Sequence, residues 1–197
     1  GDKDCGAEAA MANGGKGYAV CAKMTDLYGM GKAIKDVDRA RKEGKLASTI
    51  NCQGTNGLAN DLGLVEVFYR LGVRHMLMAY NQKNLVGDGC AERTDAGLSR
   101  FGLSMIKEMN RVGMLVDGTH TGYRTSMEAM EASTSPSIFS HCCAYSVFPH
   151  YRNIKDDQIK KCAESGGVIG VNGLGEFIDD MEATSESMFR HLDHIVN

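Results

Sequence analysis

From residue 18 onward, short apolar runs alternate with amphipathic stretches of about three helical turns. The runs at 18–23 (YAVCAK), 47–52 (ASTINC), 74–79 (RHMLMA), 114–118 (MLVDG), 137–140 (SIFS) and 167–171 (GVIGV) predict strands. The stretches at 32–43, 61–71, 99–112, 125–133, 156–165 and 184–196 predict the helices between them. Their ends carry chemical markers. Gly44, Gly72, Gly113 and Gly166 each follow a helical pattern, where a left-handed residue stops the helix before the next strand. Asp61, Ser99 and Asp156 are placed to cap helix starts, and Thr125 with Glu128 has the spacing of a capping box. The Gly- and Ala-rich opening lacks this rhythm, so residues 1–17 are expected to be a flexible or irregular segment ahead of a domain at 18–197.

Alternating strand and helix is the pattern of a parallel α/β array, because two parallel strands need a crossover between them. Periodicity alone leaves an open doubly wound sheet and a closed barrel both available. No GxGxxG follows the first run and there is no P-loop. Gln53, Tyr80, Asp117 with His120, His141 and Asn172 fall at or just past the C-terminal ends of successive runs, where barrel enzymes place their chemistry. The expectation is therefore a parallel (β/α)8 TIM-like barrel, incomplete here at about six βα units.

Composition narrows the function classes. The 197 residues are 43% hydrophobic and 24% charged, a soluble globular profile. A net charge of −3 with 22 scattered Lys and Arg argues against nucleic acid as a partner. No run is long enough to span a membrane. Seven cysteines with no CxxC pair argue against a disulfide framework and a zinc ribbon. A reducing, cytoplasmic compartment is the simpler reading, with a secreted or periplasmic one open if a signal was removed.

His120 ends MLVDGTH and His141 ends SIFSH, one βα unit apart, so in a parallel array they share one sheet edge on neighbouring strands. Two imidazoles so placed suit one metal ion, although each alone is also an ordinary hydrogen-bonded histidine at a strand end. Asp117 is either an outer partner that orients a ligand or a capping carboxylate. The adjacent Cys142 and Cys143 are poor ligand candidates, since neighbouring thiols rarely turn to one ion. The connection from Asn81 to Leu98 is long for a βα loop, which suits a cover over the site or a subunit contact.

The segment from Gly87 to Gly173, together with LGVRHMLMAYNQKN (71–84) and GKLASTINCQGTNG (44–57), closely resembles the membrane (renal) dipeptidase family of zinc peptidases. That resemblance implies a (β/α)8 barrel with a two-zinc site that hydrolyses dipeptides, some members accepting a D-residue at the C-terminal position; the cofactor expected in this chain is one or two zinc ions. It implies His120 and His141 as ligands of one zinc and Arg152, in HYRNI, as the group that grips the substrate carboxylate. A planar guanidinium suits that task because it can hold both carboxylate oxygens. Tyr80 stands where many relatives have a substrate-contacting histidine, and its phenol could donate to a developing oxyanion.

The departures are equally specific. The family's early His-x-Asp pair is absent from the N-terminal part, and HLD at 191–193 matches its letters only in a late helical segment. Gln53 occupies the position of the acidic residue that bridges two metals, and a neutral amide balances two dications poorly. The catalytic-base aspartate is expected after Asn197. The same residues therefore admit an inactive or fragmentary barrel working through binding or assembly, a homodimer included, or an enzyme acting on other amides or acyl-amino acids.

Overall fold

The computed structural model describes residues 23–197 without interruption, and residues 9, 12, 14–16 and 19 before them. The irregular segment expected at 1–17 lies largely outside the described residues. So does the strand expected at 18–23, whose described ends, Ala19 and Lys23, are helical. The elements follow in the order β1 (Tyr28–Met30), α1 (Ile34–Lys42), β2 (Leu46–Ser48), β3 (Ile50–Cys52), α2 (Gly63–Leu71), β4 (Val73–Leu77), α3 (Arg100–Val112), β5 (Leu115–Asp117), α4 (Tyr123–Ala132), β6 (Phe139–Cys142), α5 (Asp156–Glu164), β7 (Ile169–Val171), α6 (Gly175–Ile178) and α7 (Ser185–Val196). Gly44, Gly72, Gly113 and Gly166 all take positive φ, as the helix-stop pattern requires. Ser99 caps α3 by accepting from the Gly102 amide at 2.9 Å.

All the strand pairs are parallel, but they form three separate sheets, β1-β2, β3-β4-β5 and β6-β7. This corrects the expected (β/α)8 TIM-like barrel, incomplete at about six βα units: the sheets are open and separate. A barrel closes only when each strand bonds to neighbours on both sides. Among the described residues β1 pairs only with β2, and β7 only with β6. The run read as one strand at 47–52 breaks at Thr49, so its first half pairs with β1 and its second with β4. Between β5 and β6 the ladder shrinks to an isolated bridge, Asp117 to Ile138.

The core lies where α2 and α3 cover β4 and β5. Val65 and Phe68 of α2 and Met105, Ile106 and Met109 of α3 pack with Met76 and Val116 of the strands. A smaller cluster joins Met130 of α4, Phe139 and Cys142 of β6, and Cys162 of α5. Burying such side chains contributes roughly 1.5–3 kcal/mol each, so the strand ends next to these clusters sit on a firm base.

The weak β5–β6 junction is held by Asp117, which is fully buried. Its Oδ2 pairs with Nδ1 of His75 on β4 at 3.0 Å. Its Oδ1 accepts from the Thr119 amide at 2.9 Å and from the Ser140 amide of β6 at 3.2 Å. Burial pushes this carboxyl up, but the hydrogen bonds from His75, Ser140 and Thr119 outweigh it and hold the group below the ordinary carboxylate range. A folded-state value below the unfolded one stabilises the fold fully above about pH 4, and that contribution fades as pH falls through the folded value. Asp117→Asn should cost about 3 kcal/mol at pH 7 in urea unfolding, with the gap to wild type narrowing as pH falls below 4. A gap that stays constant down to pH 3 would contradict this account of the junction.

Candidate functional site

His120 and His141 meet at the C-terminal ends of β5 and β6, their Nε2 atoms 3.0 Å apart. Their rings lie edge to face with centroids 5.0 Å apart. His120 reaches this position from a left-handed backbone, φ 62°, which a non-glycine residue adopts only when its surroundings impose it. Those surroundings are visible. Tyr80 stacks on the His120 ring with centroids 4.0 Å apart, and Asn81 Oδ1 meets His120 Nδ1 at 2.6 Å. Gly118 lets the turn press against β6, since a Cβ there would stand 2.7 Å from the Phe139 ring. His141 is oriented by its neighbour, Ser140 Oγ, at 2.9 Å from Nδ1.

Arg152 completes the cluster. It is 3% exposed, donates from Nη2 to the His141 carbonyl at 3.2 Å, and lies under the Phe177 ring with 5.0 Å to the centroid. Its Nε has no hydrogen-bond partner, and among the described residues no carboxylate pairs with it. A buried guanidinium without a counter-charge is costly, so the site favours an anion from outside. His120 and Arg152 line a cavity of about 210 Å³ together with Cys90, Tyr123, Tyr145 and Tyr151.

Burial, then the charges of Arg152 and His141, drive His120 down to about 3. Burial and Arg152 lower His141 as well. Both imidazoles are thus neutral near pH 7, the form that donates a lone pair to a metal. Two nitrogens at tetrahedral zinc distance from one ion stand about 3.3 Å apart, close to the separation of this pair. The two histidines therefore fit half of a metal's ligand set. Among the described residues no group of three or more His, Cys, Asp and Glu converges on them.

The other expected residues sort into two groups. Tyr80 and Arg152 join the histidines directly. Asp117 touches neither ring and acts through Thr119 and Ser140, whose hydroxyls lie 3.4 Å apart. Gln53 is exposed and makes no hydrogen bond among the described residues. Cys142 is buried and pushed up to about 12, chiefly by burial, while Cys143 donates to the Asn172 carbonyl at 3.0 Å. His191 and Asp193 sit on α7, where His191 Nδ1 accepts from the Ala144 amide at 3.1 Å, away from the pair. Thr125 and Glu128 do not form a capping box. They anchor the 81–98 loop, Thr125 Oγ1 accepting from the Asp88 amide and Glu128 Oε2 from the Leu98 amide.

A model of the membrane dipeptidase family, peptidase family M19, matches residues 10–197. The chain belongs to the membrane dipeptidase family. Dipeptidase verJ of Clonostachys rogersoniana is 33% identical over 180 residues, which are 90% of this chain and 46% of that protein. An uncharacterized dipeptidase of Schizosaccharomyces pombe, C3A11.10c, is 36% identical over 156 residues, 77% of this chain and 38% of its own. This family member thus spans about half the length of the curated relatives it matches. The crystal structure of an amidohydrolase from Pseudomonas aeruginosa aligns with a TM-score of 0.91 at 33% identity, over 98% of this chain and 59% of that one. A metallopeptidase from Rhodobacter sphaeroides shares the fold with a TM-score of 0.85 at 22% identity, over 95% of this chain and 56% of its own.

Sequence reasoning missed Asn81, Ser140 and Phe177, which hold His120, His141 and Arg152 in place. Asn81 and Ser140 are chain neighbours of residues already singled out, so adjacency was the available signal. Phe177 is 25 residues from Arg152, and no local pattern connects them. In the metal-free chain, a proton NMR titration should show no His120 midpoint between pH 5 and 8. A midpoint near the ordinary imidazole value of about 6.5 would contradict the buried, Arg152-facing position.

Proposed function

We propose that this chain carries one zinc half-site and the carboxylate-binding group of a metal-dependent dipeptidase. The observation that carries the reading is the convergence of two neutral imidazole Nε2 atoms, 3.0 Å apart, beside a buried arginine that lacks a counter-charge. Relatives named as dipeptidases support it, and the Rhodobacter sphaeroides metallopeptidase was crystallised with a phosphinate mimic of the dipeptide L-Ala-D-Ala. His120 and His141 would hold the ion, which when bound lowers the pKa of its water toward 7 and polarises a peptide carbonyl.

The chain's own residues bind and orient the substrate. Arg152 fixes the free carboxylate of the dipeptide and so sets the distance from the C-terminus to the scissile bond. Phe177 and the His141 carbonyl hold the guanidinium in place. Tyr80 covers His120 and, being 40% exposed, offers its phenol as a donor to the substrate. Gln53 stands apart, so the reading assigns a single metal to the residues of this chain. The five described free cysteines suit a reducing, cytoplasmic setting.

Zinc titration of the purified chain should approach one ion per chain, and His120→Ala or His141→Ala should each abolish it. Binding that survives either change would overturn the assignment. With hydrolysis as readout, Arg152→Ala should raise KM for dipeptides with a free C-terminus and leave C-terminally amidated ones unaffected. An equal effect on both substrates would remove Arg152 from carboxylate recognition.

A further inference from the structure

The two candidate ligands are held by different chemistry, and the difference has a consequence for the metal. His141 Nδ1 faces a serine hydroxyl, which can donate or accept, so Ser140 tolerates either tautomer of His141. His120 Nδ1 faces the carboxamide oxygen of Asn81 at 2.6 Å, and a carbonyl oxygen only accepts. The proton must then sit on Nδ1, which leaves the Nε2 lone pair pointing at His141.

Asn81 is itself fixed on every side. Its amide donates to the His120 carbonyl at 3.2 Å, so backbone and side chain of the two residues form a two-point clamp. Its carbonyl accepts from the Ala91 amide at 2.8 Å. The Cys90 amide reaches the same His120 carbonyl at 2.9 Å, and the Cys90 thiol donates to Asn81 Oδ1 at 3.4 Å. The thiol is thus a second donor to the same oxygen that faces His120 Nδ1. Gly89 passes so close that a Cβ on it would fall 2.2 Å from the Asn81 carbonyl carbon. Asn81 and His120 both have positive φ, 58° and 62°, so the loop at 81–98 imposes a shared unusual conformation on the pair.

We infer that Asn81 is a positioning residue that locks His120 in the Nδ1–H tautomer and so reserves Nε2 for the metal, with the 81–98 loop as its support. This rests on the reading of His120 and His141 as zinc ligands. Outer partners of this kind are worth about 10- to 100-fold in metal affinity. Asn81→Gly removes the acceptor while keeping a residue at ease with positive φ, and Asn81→Asp keeps both the acceptor and that tolerance. Two readouts separate the failures.

The first is nitrogen-15 NMR of the metal-free chain, which reports the tautomer without any metal. Wild type and Asn81→Asp should show His120 as Nδ1–H, and Asn81→Gly should show Nε2–H gaining population. Wild-type His120 in the Nε2–H form, or an unchanged tautomer in Asn81→Gly, would overturn the positioning role. The second is zinc affinity by competition with a chromogenic chelator. Asn81→Gly should bind about 10- to 100-fold more weakly, with Asn81→Asp restoring affinity. Equal affinity of wild type and Asn81→Gly would overturn the inference, whereas a wild type that binds no zinc would overturn the metal reading and leave the tautomer result standing.

Discussion

The arrangement of the site depends on one buried carboxylate. Between β5 and β6 the backbone ladder is reduced to a single bridge, and these are the two strands that deliver the histidines. Asp117 spans the gap by binding His75 on β4, the Thr119 amide in its own turn and the Ser140 amide on β6. Thr119 immediately precedes His120, and Ser140 immediately precedes His141. One carboxylate thus fixes the backbone just before each candidate ligand, which is how two side chains on different sheets come within 3.0 Å of each other. Its cost is desolvation, which the two amide hydrogen bonds and the imidazole partner offset.

Around this anchor the functional groups are held by contacts unlike those of the core. The core is mainly aliphatic and thioether packing, with Phe68, between α2, α3 and the strands. The site uses a stacked tyrosine, a carboxamide, a hydroxyl and an aromatic ring over a guanidinium. These contacts fix directions as well as positions, and lone-pair geometry depends on direction. The same region carries positive φ at Asn81 and His120 and a buried arginine without a counter-charge, local costs that the surrounding packing has to sustain.

Much of this was legible in the residues. From β4 onward, all strands and helices but the unexpected one-turn α6 fall within two or three residues of their expected bounds, because apolar period and left-handed glycines mark them independently. His120, His141, Tyr80 and Arg152, singled out from separate stretches of the sequence, lie side by side in the fold. Barrel closure was not legible, because it depends on hydrogen bonding between distant edges, and the break at Thr49 lies inside a run that reads as one strand. Thr125 and Glu128 show another limit. Their spacing matches a cap, but the fold spends both acceptors on a loop some 30 residues away.

The central claim is that the two Nε2 atoms form a metal half-site in which no thiol takes part. X-ray absorption spectroscopy of the zinc-loaded chain tests it directly. The account predicts a first shell of nitrogen and oxygen at about 2.0–2.1 Å with the multiple-scattering signature of two imidazoles. A shell containing sulfur at about 2.3 Å, or one with no imidazole signature, would contradict it.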